Sequence, residues 1–455
     1  MIKLFNSLTC KKEELLPTNN LVNIYSCGPT VYYYAHIGNM RAYLFMDILR
    51  KTILYNGIDV NLVMNITDVG HLTSDADEGE DKMAVASKRE KKDPYEIAKF
   101  YTDYFFNQAK KLNIMEPTHS VKATSVIDDI IEFVEGLLSK GYAYETSKGI
   151  YYDVSKFSSY GMLSGVREGN RLAGARIEVD TEKRNPADFT LWVKAPKEHL
   201  MQWPSPWGMG YPGWHIECSA IGRKYFGNHI DIHTGGVDHK TIHHENEIAQ
   251  SNALEDCQVV KKWMHVEFLQ VDGGKMGKSL GNLYTLEQLE EKGFDPLDYR
   301  YFFMMAHYKK QQNFTFEALS AAHNSYKSLK SLVLEHKKSL VKTEKEVLEK
   351  YRQEFLNAIN DDLNMPLALA TIWDLVKNPK SIDIYNLVMD FNKVLGLDFE
   401  ESKVLIPENV KTLAEERWQA KQNKNYALSD SLRDEILKLG YTIKDSKEGY
   451  EIIKL

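Results

Sequence analysis

A strand, a helix and a second strand follow one another near the start of the chain, and this order constrains the fold most. The apolar run LVNIYSCG (21–28) indicates a buried strand, and it leads through Gly28-Pro29 into an apolar helical pattern at 40–57. The next run, DVNLVMNIT (59–67), indicates another strand. The order predicts an α/β fold built on a nucleotide-binding sheet.

The rest of the 455-residue chain, which is too long for one ordinary domain, divides by pattern. Helical patterns run to residue 140, short strands and loops to 206, an α/β pattern to 294 and helices to about Gly396. Two helical patterns and the strands YTIKD and YEIIKL end the chain. The predicted units are a split Rossmann-type domain at 1–140 and 207–294, a connective insertion at 141–206, a helical region at 295–404 and a small α+β domain at 405–455.

Composition excludes several classes of protein. The chain has 43% hydrophobic and 27% charged residues, as soluble globular proteins do. It shows no signal-peptide pattern and no apolar run of the roughly 20 residues that span a bilayer, so a cytoplasmic protein without membrane contact is expected. Its four cysteines are too few to staple a chain of this size, and reduced thiols are expected.

Charge adds a weaker constraint. A net charge of −7 argues against a general polyanion binder but does not exclude a local basic face. Residues 309–352 contain ten Lys or Arg, five Glu and no Asp. A solvated helix face is the simplest interpretation of this excess.

The first cluster with chemical potential is CGPTVYYYAHIGNMR (27–41), where a strand end leads into a helix start. Backbone N–H groups at a helix N-terminus attract phosphate, and Gly38 lets a nucleotide approach the backbone closely. His36 is a candidate donor to the phosphates. A simple turn is the alternative interpretation.

The second cluster is KMGKS (275–279), which is flanked by glycines. Lys275 and Lys278 on such a loop suit a lid that closes over a triphosphate and stabilises charge during attack at the α-phosphorus. The alternative is an ordinary charged surface loop. The glycines do not have the spacing of a Walker A loop.

The third cluster combines Cys218 with His243 and Glu247, which share one face if their segment is helical. Cysteine sulfur, histidine nitrogen and glutamate oxygen are all zinc ligands. Cys27 lies 191 positions before Cys218, at the end of the first strand, where a split sheet could bring it close. A buried small thiol and a core histidine are the alternatives.

Together these clusters resemble one known family. HIGN (36–39) and KMGKS are similar to the two signatures of class I aminoacyl-tRNA synthetases, usually His-Ile-Gly-His and Lys-Met-Ser-Lys-Ser. CGPTVY, GWHIECSA, GNHIDIHTGG and HHENEIAQS look like sequences characteristic of cysteinyl-tRNA synthetases, and their order is kept along essentially the whole chain. The resemblance implies a monomer that uses ATP, with Mg²⁺, to join L-cysteine to tRNA(Cys).

The resemblance also implies roles for particular residues. One zinc ion per chain is expected on Cys27, Cys218, His243 and Glu247, where it would select a thiol over the hydroxyl of serine. The insertion looks too short for an editing domain, so this selection has to be complete at the first site. The other implied roles are catalysis by His36, Asn39, Lys275 and Lys278, ATP binding by His36, Gly38, Asn39 and Lys278, and contact with cysteine or its adenylate by Thr67, Trp214, His233 and Asp238.

Four positions depart from the family's usual residues. Asn39 replaces the second signature histidine and Gly277 replaces a serine. Activity is expected to survive both changes, with slower or less tightly organised adenylation as the risk. The 405–455 unit resembles the family's anticodon-binding domain, with Lys421 in place of a frequent arginine and Tyr426 in place of a frequent tryptophan. Both are expected to contact tRNA, Tyr426 by stacking, although lysine cannot bind a base edge in a bidentate manner.

Two other functions fit part of these features. A ligase on the same scaffold that joins cysteine to an amino sugar would share the zinc and the signatures, but it would not need the basic helices or the last unit. A zinc-stabilised nucleic-acid-binding protein would explain the basic helices and the metal ligands, but not HIGN and KMGKS. The tRNA ligase uses all of these features.

Overall fold

The structure is a computed structural model that describes residues 1–70, 81–165, 182–197, 199–277, 281–400, 407–445 and 449–454. Contacts divide the chain into two compact units, Met1–Phe399 and Glu400–Leu455, and each has buried apolar residues of its own. The finer domain boundaries predicted above stay predictions. Within the described ranges, no helix is both long and apolar enough to cross a membrane.

Strands and helices alternate along most of the first unit. Its strands are β1 (Lys3–Asn6), β2 (Lys11–Glu14), β3 (Leu21–Ser26), β4 (Asp59–Ile66), β5 (His119–Lys122), β6 (Ala143–Glu145), β7 (Gly149–Tyr152), β8 (Phe189–Lys194), β9 (Gly210–Pro212), β10 (Ile230–Gly236), β11 (Val260–Val266), β12 (Leu269–Val271), β13 (Gly274–Lys275) and β14 (Gln312–Phe314). Its α-helices are α1 (Ile37–Tyr55), α2 (Lys82–Glu90), α3 (Pro94–Lys111), α4 (Ile127–Ser139), α5 (Trp214–Phe226), α6 (His243–Glu255), α7 (Leu286–Glu291), α8 (Pro296–Met304), α9 (Phe316–Lys337), α10 (Lys345–Asn360), α11 (Met365–Leu375) and α12 (Ile382–Leu395).

A parallel sheet in the order β11-β10-β3-β4-β5 forms the centre of the first unit. β3, β4 and β5 come from before the insertion, and β10 and β11 come from after it. The direction of winding reverses between β3 and β10, and in open α/β sheets ligands bind beyond the carboxyl ends of the strands at such a point. The predicted α/β fold is confirmed.

The turn between β3 and α1 is closely packed and capped. A Cβ atom at Gly28 would lie 1.6 Å from the backbone oxygen of Asn65, so a side chain does not fit there. His36 is the N-cap residue of α1, and its Nδ1 accepts a hydrogen bond from the N–H of Asn39. The Asn39 side chain accepts one from the N–H of His36 in return. This reciprocal cap holds the HIGN turn in shape.

Antiparallel strands occupy the predicted insertion, in the order β6-β7-β8-β9. The last of them ends at Pro212, six residues beyond the predicted boundary. A turn of the insertion is fastened to α6, because the buried Glu245 carboxylate accepts three backbone N–H groups at 2.7 to 3.0 Å. Those donors are Gly161, Leu163 and Ser164.

The region after residue 294 contains a strand that the sequence pattern missed. β14 pairs in parallel with β12, which forms a hairpin with β13. Our expectation of a helical region from Phe294 to about Gly396 is wrong at this strand. Its three residues are too few to show the alternation of a strand in the sequence. α8 to α12 otherwise occupy the region predicted to be helical.

The second unit combines two helices, α13 (Glu408–Gln422) and α14 (Tyr426–Lys438), with two strands, β15 (Tyr441–Asp445) and β16 (Tyr450–Lys454). The sequence predicted both strands, and the structure pairs them as an antiparallel hairpin. The core of the second unit consists of Val410, Ala414, Ile436, Tyr441 and Ile443.

Candidate active site and metal centre

The carboxyl ends of β3 and β10 place the first candidate ligand at the switch point of the sheet. Cys27 follows β3, and its N–H donates to the carbonyl oxygen of Thr234 in β10 at 3.1 Å. α5 carries Cys218, and α6 carries His243 and Glu247 one turn apart, as their spacing predicted.

These four predicted ligands come together beside the ends of β3 and β10, and all four are buried. Their ligand atoms lie within 4.8 Å of one another. His243 Nε2 is 3.5 Å from Cys218 Sγ and 3.1 Å from Glu247 Oε1. A tetrahedral zinc ion with bonds of about 2.0–2.3 Å separates its ligands by roughly 3.3–3.8 Å. The spacing fits such an ion, and the close neighbour of Glu247 Oε1 is His243 Nε2, which is itself one of the four candidate ligands.

The electrostatics of the cluster favour a positive charge at its centre. Burial opposes protonation of His243, but Glu247 and Cys218 outweigh it and raise the pKa of His243 to about 10. Burial also opposes ionisation of Cys218, yet its contacts with Cys27 and His243 lower the Cys218 pKa to about 7. A bound metal ion would take the place of the proton on His243.

A second set of ligand atoms overlaps the first. Cys27 and Glu247 also lie with His233 and His244 within 4.8 Å. His244 Nε2 is 3.3 Å from Cys27 Sγ, and His233 Nε2 is 2.9 Å from Glu247 Oε2. His265 in β11 supports His244, with ring nitrogens 2.8 Å apart. The sequence analysis missed this set, because its histidines come from different elements.

A cavity of about 840 Å³ opens in front of Cys27 and His243, which both line it. The HIGN turn contributes His36, Gly38 and Asn39 to its wall, and residues 273–277 of the β12–β13 hairpin contribute another part. Two of the candidate metal ligands and both signature segments therefore face one space.

Three of the four predicted substrate residues line the same cavity, namely Thr67, Trp214 and Asp238. His233 does not. It is 1% exposed and lies behind Glu247, to which it is hydrogen-bonded. His233 is therefore placed where it supports the candidate ligand Glu247.

The KMGKS segment is described only in part. Lys275 is exposed at the end of the hairpin and lines the cavity. Asn282 braces the loop, since its Oδ1 accepts from the N–H of Gly277 at 2.9 Å and its Nδ2 donates to the carbonyl oxygen of Lys275 at 3.1 Å. Lys278, the other predicted catalytic lysine, lies outside the described residues.

Lys421 and Tyr426, the predicted tRNA contacts, lie in the second unit. Lys421 Nζ donates to Asp445 at 2.6 Å, and both terminal nitrogens of Arg417 donate to the same carboxylate at 2.6 and 2.8 Å. The Lys421 ammonium group is therefore held in place by Asp445. Tyr426 is 60% exposed at the start of α14.

Histidines surround the metal cluster more densely than the sequence analysis recognised. Seven of the fourteen histidines lie between residues 215 and 265. His215 Nδ1 is 2.8 Å from His243 Nδ1, and His239 lines the cavity with its ring centre 5.1 Å from that of His243. This local density was the available signal for both residues.

Known proteins match this chain over most of its length. Residues 14–324 match the family described as tRNA synthetases class I (C) catalytic domain. The cysteine–tRNA ligase of Treponema denticola is 42% identical over 98% of both chains, and that of Borrelia garinii subsp. bavariensis is 39% identical over 99% of both. Among solved structures, Mycobacterium tuberculosis methionyl-tRNA synthetase in complex with methionyl-adenylate shares the fold, with a TM-score of 0.57 and 13% identity over 82% of this chain and 88% of that chain.

The relatives extend along nearly the full chain, and the family match covers the central sheet, the cavity and the candidate metal ligands together. The chain therefore belongs to the cysteine–tRNA ligase family of class I aminoacyl-tRNA synthetases.

Proposed function

We propose that the protein joins L-cysteine to tRNA(Cys) in two steps. In the first, the cysteine carboxylate attacks the α-phosphorus of ATP, which gives cysteinyl-adenylate and releases pyrophosphate. In the second, a hydroxyl of the terminal ribose of tRNA attacks the adenylate carbonyl, and AMP leaves. The observation that carries this proposal is the single cavity that both signature segments, Cys27 and His243 line.

The HIGN turn is suited to the phosphates of ATP. The N–H groups at the start of α1 and its positive dipole end attract anions. His36 Nδ1 accepts from the N–H of Asn39, so a neutral ring carries its proton on Nε2 and can donate it to a phosphate oxygen. Because Asn39 keeps the cap closed through its side chain, its departure from histidine preserves the shape of the turn.

Lys275 lines the same cavity, and its ammonium group can meet the triphosphate there together with Mg²⁺. The loop that begins at Lys275 carries Lys278, the family's second signature lysine. We propose that the two lysines stabilise the charge that develops as pyrophosphate leaves.

Cys27, Cys218, His243 and Glu247 are the residues that would hold zinc. When bound, zinc supplies a Lewis acid that accepts a thiol as thiolate, whereas the hydroxyl of serine is a poorer and more basic ligand. We favour this set over the set with His233 and His244, because it includes both residues that face the cavity, Cys27 and His243.

Thr67, Trp214 and Asp238 are proposed to position cysteine and its adenylate. The Thr67 hydroxyl is fixed, since it accepts from Asn65 Nδ2 at 2.9 Å and donates to Glu217 at 3.0 Å. Trp214 lies against His243, with ring centres 4.4 Å apart. Asp238 is an exposed carboxylate in the cavity, which suits the ammonium group of an amino acid.

Exchange of labelled pyrophosphate into ATP tests the first step, and charging of total tRNA tests the second. We expect exchange that depends on cysteine and is at background with serine, together with about one zinc per chain. Exchange with transfer only to an amino sugar would favour the alternative ligase. Binding of tRNA without any exchange would favour a nucleic-acid-binding protein.

Replacing Lys278 by alanine should slow adenylation and leave ATP binding nearly unchanged. A lysine that meets the phosphates only as its loop closes acts mainly in the transition state. We expect the exchange rate to fall by roughly 100-fold or more, as it does when one preorganised donor is lost, with little change in KM for ATP. Lys261→Ala, at an exposed lysine of β11, is the matched control. An unchanged rate in Lys278→Ala would mean that KMGKS is an ordinary surface loop.

A further inference from the structure

Arg41 lies on α1, two residues after the HIGN turn, and only 1% of it is exposed. Its guanidinium donates in three directions. Nε bonds to the carbonyl oxygen of Glu267 and Nη2 to that of Lys310, both at 2.8 Å, and Nη1 bonds to Oε1 of Gln312.

All three acceptors lie near the base of the β12–β13 hairpin, which carries Lys275. Glu267 lies between β11 and β12. Lys310 lies just before β14, and Gln312 begins it, opposite Leu269 of β12. Arg41 therefore joins α1 to the start of β14 and to the segments that lead into β12 and β14.

Other contacts attach the start of α1 to the segments after the hairpin. The N–H of Ile37 donates to the carbonyl oxygen of Tyr284 at 2.8 Å, and the Tyr299 hydroxyl donates to the carbonyl oxygen of Ile37 at 2.7 Å. Neither of these contacts reaches β12 or β14. Arg41 supplies the hydrogen bonds to β14 and to the residues just before β12, while Met276, which follows β13, lies close to Gly38.

We propose that Arg41 is a positioning residue for adenylation, which sets the separation between the HIGN turn and the hairpin that carries Lys275. The inference rests on the proposed function, in which both segments act on one triphosphate. Arg41 does not line the cavity, so it acts through the two walls that it joins. A displacement of reacting groups by about 1 Å can cost a factor of roughly 100 in rate.

The chemistry of the joint distinguishes it from ordinary core packing. All three acceptors are neutral, being two backbone carbonyls and one side-chain amide. A buried cation is expensive to desolvate, and an apolar side chain fills a core at lower cost. Only a guanidinium offers donors in a rigid fork, whereas the single nitrogen of lysine cannot reproduce it. Arg41 is therefore expensive to bury, and what it offers in return is a fixed arrangement of hydrogen-bond donors.

Arg41→Lys tests the inference, with Arg50→Lys as a matched control. Arg50 lies on the same helix, is 9% exposed and donates to Glu116 and Thr118. For Arg41→Lys we expect kcat of pyrophosphate exchange to fall roughly 10- to 100-fold with little change in KM for ATP. For Arg50→Lys we expect wild-type kcat, and thermal unfolding of both variants identifies the fraction that is folded.

Gln312→Leu interrupts the same joint from its other end and keeps Arg41, so it decides the question if Arg41→Lys does not fold. A lowered kcat with a steady KM supports positioning. Wild-type kcat in a folded Arg41→Lys or Gln312→Leu protein overturns it, as does a loss that appears only in KM. A wild-type protein without cysteine-dependent exchange overturns the proposed function itself, so the two failures are distinguishable.

Discussion

Replacing Cys218 by serine lowers cysteine activation by about 100-fold or more and removes most of the zinc. Even changes to residues that only hydrogen-bond to metal ligands lower metal affinity or activity by roughly 10- to 100-fold. Serine keeps the size of the side chain but offers a hydroxyl of much higher pKa than a thiol. Cysteine-dependent pyrophosphate exchange and metal analysis of the purified variant measure the two effects. They should fall together if one ion both holds the site and selects the substrate.

Cys257→Ser is the matched control, because it makes the same chemical change at an exposed cysteine. It should keep both zinc and activity. His244→Asn separates the two ligand sets, since His244 belongs only to the second set and Cys218 only to the first. Full zinc and normal activation in Cys218→Ser, with loss of both in His244→Asn, would contradict our choice of ligands.

Truncation after Phe399 leaves cysteine activation near its wild-type rate but lowers charging of tRNA by roughly 100-fold or more, because a second binding site raises the effective concentration at the first by such factors. The first unit contains the cavity and the candidate metal ligands, and each unit has its own core. Pyrophosphate exchange and charging are measured on the same truncated, folded protein. Equal charging by both forms would show that the last unit is not the anticodon reader.

A point variant in the full chain tests the same idea with less disruption. Tyr426→Ala removes an exposed ring that can stack on a base. Leu428→Ala is its control, because Leu428 is 47% exposed two residues further along α14 and points to the other side of the helix. We expect only Tyr426→Ala to weaken charging. The contribution of Lys421 should shrink as salt rises, since contacts with phosphates release counterions.

The metal cluster shows what kind of information the sequence carries about a site. The four-residue spacing of His243 and Glu247 is local, and the helix that it required is present. The approach of Cys27 to Cys218 depends on β3 and β10 being neighbours, and spacing alone left it open. The resemblance to a family supplied that pairing as an expectation, and the geometry now fits it.

Contacts between distant segments explain the features that the sequence analysis missed. Arg41 sits in an apolar helical pattern, and its importance appears only when residues more than 220 positions later are placed around it. His233 was expected at the substrate, but the neighbouring strand and α6 place it behind Glu247. The strand β14 depends on pairing with β12 and has too little pattern of its own.

The order of the central strands also determines when each finds its neighbours during synthesis. One edge of β3 is covered early by β4, but the other waits for β10, which leaves the ribosome about 200 residues later. At translation rates of roughly 5–20 residues per second this interval lasts roughly 10–40 seconds. Throughout it the backbone groups of that edge can pair with the wrong strand. We expect the nascent chain to aggregate most readily in this interval, and to benefit then from chaperones that cover the open edge.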